Sequence, residues 1–366
     1  MKNFVVLVLF VSLLYVCDSS NYEQVEHNHE HDLDLGPDGY VMGSIWPKPQ
    51  QHTKGNGLFS LSPLTFQFQS TGEESDVLSA ALKRYKTLTF PDKIPPSNVR
   101  YRRDLLALTS LVVNVKEKYA PMSFKMDESY TLNVSSPTSS LVANTTWGAL
   151  RGLETFSQLV YQNEFGDFRA REAIIFDYPR FHFRGFLIDT SRHYVAVPVI
   201  LSHIDAMAYG KYNVLHWHIV DDPSFPFVSE TFSSLSDTGA YNNVTHIYDP
   251  DDVAAVIEYG RMRGIRVVPE FDTPGHTQSW VSIKNLLTPC YSGGVPTGTY
   301  GPINPTLKST YTFLQSFFSE IAKRFPDDYI HLGGDEVSFS CWQSNPAIAA
   351  WMEKAGFGKN FSLLEQ

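Results

Sequence analysis

The sequence predicts an α/β fold, a parallel (β/α)8-type barrel of which about half is present, preceded by a small α+β domain. Two observations predict the barrel. From Phe183 onward, apolar runs of strand length alternate with helical segments, which is the pattern of a parallel sheet. Each of these strands ends in ionisable residues, as at the C-terminal face of a β/α barrel. Before Tyr178 the order of strands and helices is mixed, which predicts a separate α+β domain.

Composition limits the function classes. The chain has 366 residues, is 43% hydrophobic and 14% aromatic, and is therefore globular rather than disordered. Its formal net charge is −10, and no stripe of basic residues interrupts the acidic balance. Nucleic acid is therefore not an expected partner.

The first 42 residues precede the predicted domains. A lysine followed by the apolar run of residues 4–16 predicts a secretory signal peptide over residues 1–19. Residues 20–42 are predicted to be a linker or a propeptide-like segment. No other apolar run is long enough to cross a bilayer. We expect the secretory pathway, with a lysosomal or extracellular destination.

Histidines alternate with acids in that linker, at His27, His29 and His31. Metal binding there is an alternative to a flexible segment, and the flexible segment is favoured.

Sequons and cysteines fit a secretory route. Acceptor sequons for N-glycosylation occur at four positions: Asn133, Asn144, Asn243 and Asn360. Cys17 would leave with the signal peptide, so Cys290 and Cys341 remain as a pair in an oxidising compartment. A disulfide between them is predicted, and free buried thiols are the alternative.

Residues 43–180 are predicted to form the α+β domain. Strands are predicted at residues 61–69, 108–115, 130–134 and 173–177, and helices at residues 75–88 and 145–161. Leu150, Leu153, Leu159 and Val160 give the second helix an apolar stripe. No catalytic constellation lies here, so the expected role is packing against the following domain.

Residues 181–366 are predicted to form the first half of the barrel. Strands are predicted at residues 183–189, 213–220, 265–271 and 329–333, with helices at 198–209, between Asp249 and Gly264, at 306–325 and from about Asn345. A complete barrel needs roughly 250 residues, and fewer than that follow Phe183. About half a barrel is therefore expected.

Ionisable side chains collect at the four predicted strand ends. They are Asp189 and Arg192, then Asp221, then Asp272 and His276, then Asp335 and Glu336. Carboxylates with aromatic residues suit carbohydrate, because acids act on the glycosidic oxygen and ring faces stack on sugars. His216 and His218 lie on one strand face, where hydrogen-bonded interior histidines are favoured over a metal site.

Four motifs carry a family resemblance. RGFLIDTSRHY from Arg184, HWHIVDD from His216, PEFDTPGHT from Pro269 and HLGGDEV from His331 resemble the family 20 glycoside hydrolases. These are β-N-acetylhexosaminidases, and the chain resembles their lysosomal subunits in particular. Residues 44–49 and 144–159 resemble the N-terminal domain of that family, so the resemblance covers nearly all of the predicted mature chain.

The resemblance implies a role for each matching residue. Glu336 would be the general acid and base, and Asp335 would orient and polarise the 2-acetamido group of the substrate. Arg192 would bind hydroxyls of the terminal sugar, while Asp221 and His276 would support the acid. Asp272 and His218 are further supporting residues, and Cys290 and Cys341 match a disulfide of lysosomal relatives.

The family implies a glycan substrate with a terminal β-linked N-acetylhexosamine. We expect no cofactor, no metal and no membrane span. Full-length relatives are expected to be dimers. The further aromatic and acidic residues with which this family lines its sugar pocket lie on later strands, which this chain does not include. The alternative function is therefore a truncated, non-catalytic product that binds glycans or regulates a partner. A chitinase of another barrel family is disfavoured, because its spaced acidic strand motif is not found here.

Overall fold

The computed structural model describes residues 43–71, 74–91, 105–163 and 166–365. The predicted signal peptide (1–19) and linker (20–42), with His27, His29 and His31, lie outside the described residues. None of the helices in these described ranges combines the length and the apolar character needed to cross a bilayer.

A mixed eight-stranded sheet forms the first part of the described chain. Its strands are β1 (Gln51–Leu61), β2 (Gln67–Thr71), β3 (Leu106–Ala107), β4 (Ser110–Glu117), β5 (Tyr130–Val134), β6 (Thr138–Thr145), β7 (Tyr161–Gln162) and β8 (Phe168–Asp177). They lie in the order β2-β4-β6-β5-β8-β1-β3, and β7 pairs with β8. Helices α1 (Asp76–Thr89) and α2 (Thr146–Leu159) pack on one face of this sheet.

Both predicted helices of this part are confirmed. Ser75 caps α1 by accepting the Leu78 N–H, and Thr145 caps α2 by accepting the Gly148 N–H. Such caps satisfy backbone donors that have no partner within the helix. The predicted apolar stripe of α2 is buried against the sheet.

The predicted strand over residues 61–69 is wrong in its middle. The Ser62 carbonyl accepts the N–H groups of Thr65 and Phe66, so a turn separates β1 from β2. This turn buries Phe66 completely in the core between the sheet and the helices. The structure also extends β1 back to Gln51 through a polar and glycine-containing run, which carries no apolar strand signal.

A parallel sheet follows, as predicted. It consists of β9 (Gly185–Asp189), β10 (Val214–Val220) and β11 (Arg266–Phe271), in the order β11-β10-β9. The connecting helices are α3 (Val197–Tyr209), α4 (Ser234–Gly239), α5 (Pro250–Arg261) and α6 (Lys308–Arg324). Asp249 caps α5 with a full capping box, and Pro250 occupies its first turn.

The predicted fourth strand, residues 329–333, is present only as a parallel bridge between His331 and Glu270. The Phe271 N–H donates to the His331 carbonyl, and the His331 N–H donates to the Pro269 carbonyl. In a parallel ladder the next donor on that side of β11 is two residues earlier, at Pro269, which has no N–H. The ladder therefore cannot extend back to Tyr329. Beyond His331, Gly333 adopts a left-handed φ of 69° and ends the extended conformation.

In the last part of the described chain the helix predicted from about Asn345 is confirmed, whereas the hairpin and the two short helices were not predicted. This part contains the hairpin β12 (Leu287–Ser292) and β13 (Val295–Ile303), followed by α7 (Ser340–Ser344), α8 (Pro346–Ala355) and α9 (Phe361–Glu365). The predicted disulfide is present, and it joins Cys290 on β12 to Cys341 on α7. The Trp342 indole donates to the Ile303 carbonyl at 3.1 Å, and Asn345 donates to the Pro289 carbonyl at 3.1 Å. These contacts hold the segment after Glu336 against the hairpin.

A buried carboxylate joins the mixed sheet to the parallel sheet. Glu128 is 2% exposed and accepts hydrogen bonds from Arg151 at 2.8 Å, Arg184 at 2.6 Å and Asn213 at 3.0 Å. Arg151 also donates to the Gly264 carbonyl at 2.8 Å. Burial raises the pKa of Glu128, but the two guanidinium groups outweigh it and lower the pKa. The carboxylate is therefore held ionised between the two sheets.

The disulfide gives a stability prediction. Replacing Cys290 and Cys341 by serine should lower the free energy of unfolding by about 2 to 4 kcal/mol, because the bridge restricts the unfolded chain. Urea denaturation of the oxidised protein and of the double variant measures this difference. Labelling of two free thiols in the unreduced, denatured wild-type protein would contradict the bridge.

Candidate active site

The sequence-predicted site residues gather beyond the carboxyl ends of β9, β10 and β11. We call six of them the rim cluster: Arg192, Asp221, Asp272, His276, Asp335 and Glu336. Side-chain contacts of 2.5 to 3.9 Å connect all six. The structure thus brings together residues that are separated by more than a hundred positions in the sequence.

Asp221 anchors one side of the rim cluster. It is 1% exposed, and its Oδ2 lies 2.9 Å from both Arg192 Nη2 and His218 Nε2. Arg192 Nη1 also lies 2.9 Å from Asp189 Oδ2. Burial raises the pKa of Asp221, but the His218 hydrogen bond and the charge of Arg192 outweigh it and lower the pKa. Two carboxylates therefore fix a guanidinium whose side chain is 48% exposed.

The His276 imidazole lies between the two adjacent acids. Its Nδ1 lies 2.5 Å from Asp272 Oδ2 and 3.9 Å from Asp335 Oδ1, while its Nε2 lies 3.5 Å from Glu336 Oε2. Burial lowers the pKa of His276, but the hydrogen bond to Asp272 and the charges of Asp221 and Asp335 outweigh it and raise the pKa. The imidazole therefore stays protonated to a higher pH than an ordinary histidine.

Asp335 and Glu336 lie on a loop rather than at a strand end. Their side chains are 67% and 79% exposed. Glu336 has a φ of 53° and His276 a φ of 54°, a left-handed conformation that is uncommon for residues other than glycine. Such conformations cluster at functional sites, where the surrounding structure enforces them. The two acids therefore take their directions from this turn.

Gly333 is required by the approach of this loop to Asp272. A Cβ atom at Gly333 would lie 1.6 Å from Asp272 Oδ1, so no larger residue fits. The same oxygen accepts the Gly334 N–H at 2.9 Å. One buried carboxylate, Asp272, therefore contacts both His276 and the backbone that presents the two acids.

A second group lies nearer the strands, and we call it the inner cluster: His216, His218, Glu270 and His331. Glu270 Oε2 lies 2.5 Å from His216 Nε2 and 3.0 Å from His218 Nδ1, and Oε1 lies 3.2 Å from His331 Nδ1. Burial raises the pKa of Glu270, but the histidine hydrogen bonds outweigh it and hold the pKa far below its usual range.

His218 joins the inner cluster to the rim cluster. Burial lowers the pKa of His218, but the hydrogen bonds to Asp221 and Glu270 outweigh it and raise the pKa to about 10. The residue is therefore an imidazolium at neutral pH. It links Glu270, through Asp221, to Arg192.

Donor atoms that suit a metal converge in four groups drawn from these two clusters, and two of the four contain neither Asp335 nor Glu336. The ligand atoms of His216, Glu270 and His331 lie within 4.8 Å of one another, as do those of Asp221, Asp272 and His276. Imidazole and carboxylate are donors that zinc uses. In both groups a carboxylate already contacts an imidazole, which accounts for the arrangement through hydrogen bonding.

Sequence reasoning did not single out Glu270 or His331. The available signal was a glutamate in a strand that is otherwise apolar after Arg266, two residues before Asp272 and therefore on the same strand face. Glu270 pairs with His218 in the register of β11 and β10. The sequence alone does not give the register between two strands, so it could not show that this buried acid lies opposite a histidine.

The predicted glycosylation sites lie away from these clusters. Asn144, Asn243 and Asn360 are exposed, and Asn133 is half-buried within β5. Their glycosylation stays a prediction.

Family models match most of the described chain. The model described as "Glycosyl hydrolase family 20, catalytic domain" matches residues 181–366. The model described as "beta-acetyl hexosaminidase like" matches residues 45–159. A parallel β/α sheet with acids beyond its strand ends places the chain in the class of β/α proteins whose functional groups lie at the carboxyl ends of the strands. Within that class, the chain belongs to glycosyl hydrolase family 20.

Curated relatives agree with this assignment. Beta-hexosaminidase subunit alpha of Bos taurus is 49% identical over 332 residues, which cover 88% of this chain and 63% of the relative. Beta-hexosaminidase subunit beta of Homo sapiens is 50% identical over 331 residues, which cover 88% of this chain and 59% of the relative. The chain thus spans less than two thirds of the length of these relatives.

Solved structures share the fold. A chitobiase of Flavobacterium johnsoniae matches with a TM-score of 0.75 and 28% identity, covering 88% of this chain and 49% of that one. A family 20 exo β-N-acetylglucosaminidase of Vibrio harveyi, solved with N-acetylglucosamine, matches with a TM-score of 0.68 and 25% identity. That match covers 87% of this chain and 51% of the other.

The inner cluster gives a prediction about protonation. NMR should show His218 still protonated at about pH 8, well above its usual pKa of about 6.5. Glu270→Gln removes one of its two anionic partners and should lower the pKa of His218. The matched variant Glu320→Gln removes a different carboxylate, bonded to Ser229 and Thr231, and should leave that pKa unchanged.

The same shift has a consequence for stability. Because the pKa of His218 is higher in the folded state, its protonation stabilises the folded protein. This contribution is fully present below the unfolded pKa of about 6.5 and is lost as the pH rises through about 10. The difference in unfolding free energy between wild type and His218→Gln should therefore shrink over that window. A difference that grows with rising pH would contradict the assignment.

Proposed function

We propose that the chain is an exo-acting β-N-acetylhexosaminidase that removes terminal non-reducing N-acetylglucosamine or N-acetylgalactosamine from glycoconjugates. One observation carries the proposal: Asp335 and Glu336 face opposite nitrogens of one imidazole, beside a guanidinium held by two carboxylates. Family membership supports the same chemistry.

Each rim residue has a proposed role. Glu336 donates a proton to the leaving glycosidic oxygen and then accepts one from water. Asp335, as a carboxylate, orients the 2-acetamido group and stabilises the positive charge that develops on its nitrogen. Arg192 binds hydroxyls of the terminal sugar through N–H groups that the carboxylates leave free. Asp221, Asp272, His218 and His276 fix these groups in place.

The proposed mechanism retains the anomeric configuration through assistance by the substrate. The acetamido oxygen attacks the anomeric carbon while the bond to the leaving oxygen breaks, and Glu336 supplies the proton. This forms an oxazolinium ion, whose charge Asp335 balances. Water activated by Glu336 then opens the ion. The nucleophile belongs to the substrate, so much of the rate comes from an intramolecular reaction.

The proposal includes the architecture and the route of the chain. We propose that residues 181–366 are the first half of a (β/α)8 catalytic domain, and that residues 43–180 are its N-terminal α+β domain. The three parallel strands and the His331 bridge support this. Residues 1–19 are proposed as a signal peptide and 20–42 as a linker, with a lysosomal or extracellular destination. Dimerisation of full-length relatives is carried over from the resemblance.

A second candidate function is glycan binding without catalysis. The observation that favours it is the exposure of Asp335 and Glu336, at 67% and 79% of their side chains. General acids act best where water is excluded and the proton affinity is tuned by the surroundings. Hydrolysis and binding assays with the same chain distinguish the two functions. Binding of N-acetylglucosamine without hydrolysis would favour the second function. A chain that neither binds N-acetylglucosamine nor hydrolyses the substrate would contradict both functions.

The acid gives the first activity prediction. Glu336→Gln should lower the rate of release from a fluorogenic β-N-acetylglucosaminide by about 10² to 10⁴-fold, because the amide cannot donate a proton. Glu353→Gln, on the exposed face of α8, is the matched control and should leave the rate unchanged. A Glu336→Gln protein with wild-type activity would remove Glu336 from the mechanism.

Asp335 gives a second prediction, which tests substrate assistance. Asp335→Asn should lower the rate by about 10² to 10³-fold, because a neutral amide stabilises the developing charge poorly. A substrate that lacks the 2-acetamido group should be cleaved equally poorly by both proteins. An Asp335→Asn variant that keeps the wild-type rate on the acetamido substrate would count against assistance.

Arg192 gives a third prediction. Arg192→Lys should lower kcat/KM by about 10- to 100-fold, because lysine cannot copy planar contacts to the carboxylates and to sugar hydroxyls. The control Arg261→Lys affects a surface guanidinium that pairs with Asp76 and Glu258. Equal kinetics for the Arg192 variant and the control would exclude Arg192 from the site.

A further inference from the structure

The open face of the mixed sheet carries a row of large apolar side chains. Ile174, Phe176 and Tyr178 follow one another at every second position of β8 and its end, and they are 54%, 39% and 46% exposed. Their neighbours Ala173 and Ile175 point to the opposite face and are buried in the core against the helices. Exposed apolar rows of this kind mark an interaction site or favour aggregation. Some group is therefore expected to cover this row.

A glycosylation sequon lies beside the row. β5 lies between β6 and β8, and Asn133 on β5 pairs with Ile174 on β8 and with Ser140 on β6. Leu132 and Val134 are fully buried, so the alternation of the strand places Asn133 on the open face. Directly opposed side chains are about 4.5–5.5 Å apart at Cβ, and diagonal neighbours such as Phe176 are about 7–8 Å apart.

The other sequons are placed differently. Asn243 lies in the turn region between α4 and α5, and Asn360 immediately precedes α9. Asn144 lies at the end of β6, where its amide donates to Asp127 at 2.8 Å. Of the four, Asn133 is the one that pairs directly with β8.

We propose that Asn133 carries an N-linked glycan whose first sugars lie over the apolar row of β8 and shield it from water. The donor is an oligosaccharide on a polyisoprenyl diphosphate. The Asn133 amide nitrogen forms a bond to the anomeric carbon, and the bond from that carbon to the diphosphate oxygen breaks. The polyisoprenyl diphosphate leaves with the electron pair of that bond, and the amide nitrogen releases one proton. The C–H faces of the sugar rings contact the apolar side chains, and the hydroxyls face water.

Site occupancy is the first test. The full chain is secreted from a eukaryotic host, treated with peptide-N-glycosidase in H₂¹⁸O and analysed by peptide mass spectrometry. We expect Asn133 to be converted to labelled aspartate in most molecules. An unmodified Asn133 in the secreted protein overturns the proposal.

Shielding is the second test, and it does not depend on enzymatic activity. Asn133→Gln should increase the binding of an apolar fluorescent dye, and aggregation, several-fold, whereas the control Asn243→Gln should not. Enzymatic removal of glycans from folded Asn243→Gln protein should have the same effect as Asn133→Gln. If the Asn133→Gln protein were as soluble as wild type and bound no more of the fluorescent dye, the glycan would not cover the apolar row.

A rescue variant separates shielding from a folding defect. Ile174→Thr with Phe176→Thr keeps residues that favour strands and removes apolar surface. Combined with Asn133→Gln, these changes should restore secretion and low dye binding. Failure of this rescue would overturn the proposal and indicate that the glycan acts in folding. A soluble Asn133→Gln dimer formed through the row would also overturn it, because a second copy of the chain would then be the cover.

Discussion

The ionised Glu270 carboxylate, buried beneath the acidic rim, constrains the geometry above it. A carboxylate at 4% exposure is stable only when cations or donors surround it, and His216 and His218 provide them. His218 consequently stays protonated and binds Asp221, which in turn holds Arg192. Removing one of these charged side chains would leave its buried partner unpaired. The resulting loss of stability is larger than the net stabilisation that the contact itself contributes. The position of the rim guanidinium therefore depends on a residue of β11 that lies outside the rim.

Asp272 applies the same constraint to the other side of the rim. It is fully buried, and it contacts an imidazole through one oxygen and the Gly334 backbone through the other. Because Gly333 has no Cβ, the loop approaches this carboxylate closely, and the chain then turns through the left-handed conformation of Glu336. The two exposed acids are thus positioned by backbone geometry and not by packing of their own side chains. This explains how residues with large exposure have defined directions.

The sequence predicted those parts of the fold in which local signals agree with tertiary structure. Strands β9, β10 and β11 are apolar runs that end in acids, and α5 has a complete capping box. The rim residues could be placed together because parallel strands end at one edge.

The failures have physical causes. β1 is largely polar, so no apolar period marked it. The fourth strand lacks a ladder because Pro269, on the strand beside it, has no N–H to donate. The inner cluster was not foreseen because it depends on the register that opposes Glu270 to His218.

Exposure has different consequences at the rim and on the open sheet face. Exposed carboxylates at Asp335 and Glu336 are well solvated, so the rim needs no cover for stability. Exposed Ile174 and Phe176 order water unfavourably, so the sheet face gains stability from a cover. At the rim, the need for cover would arise only during the proposed reaction, since proton transfer to a glycosidic oxygen is favoured when water is excluded. A substrate whose own acetamido oxygen attacks would bring both the nucleophile and part of that cover, which leaves the protein to supply an acid, a charge and their orientation.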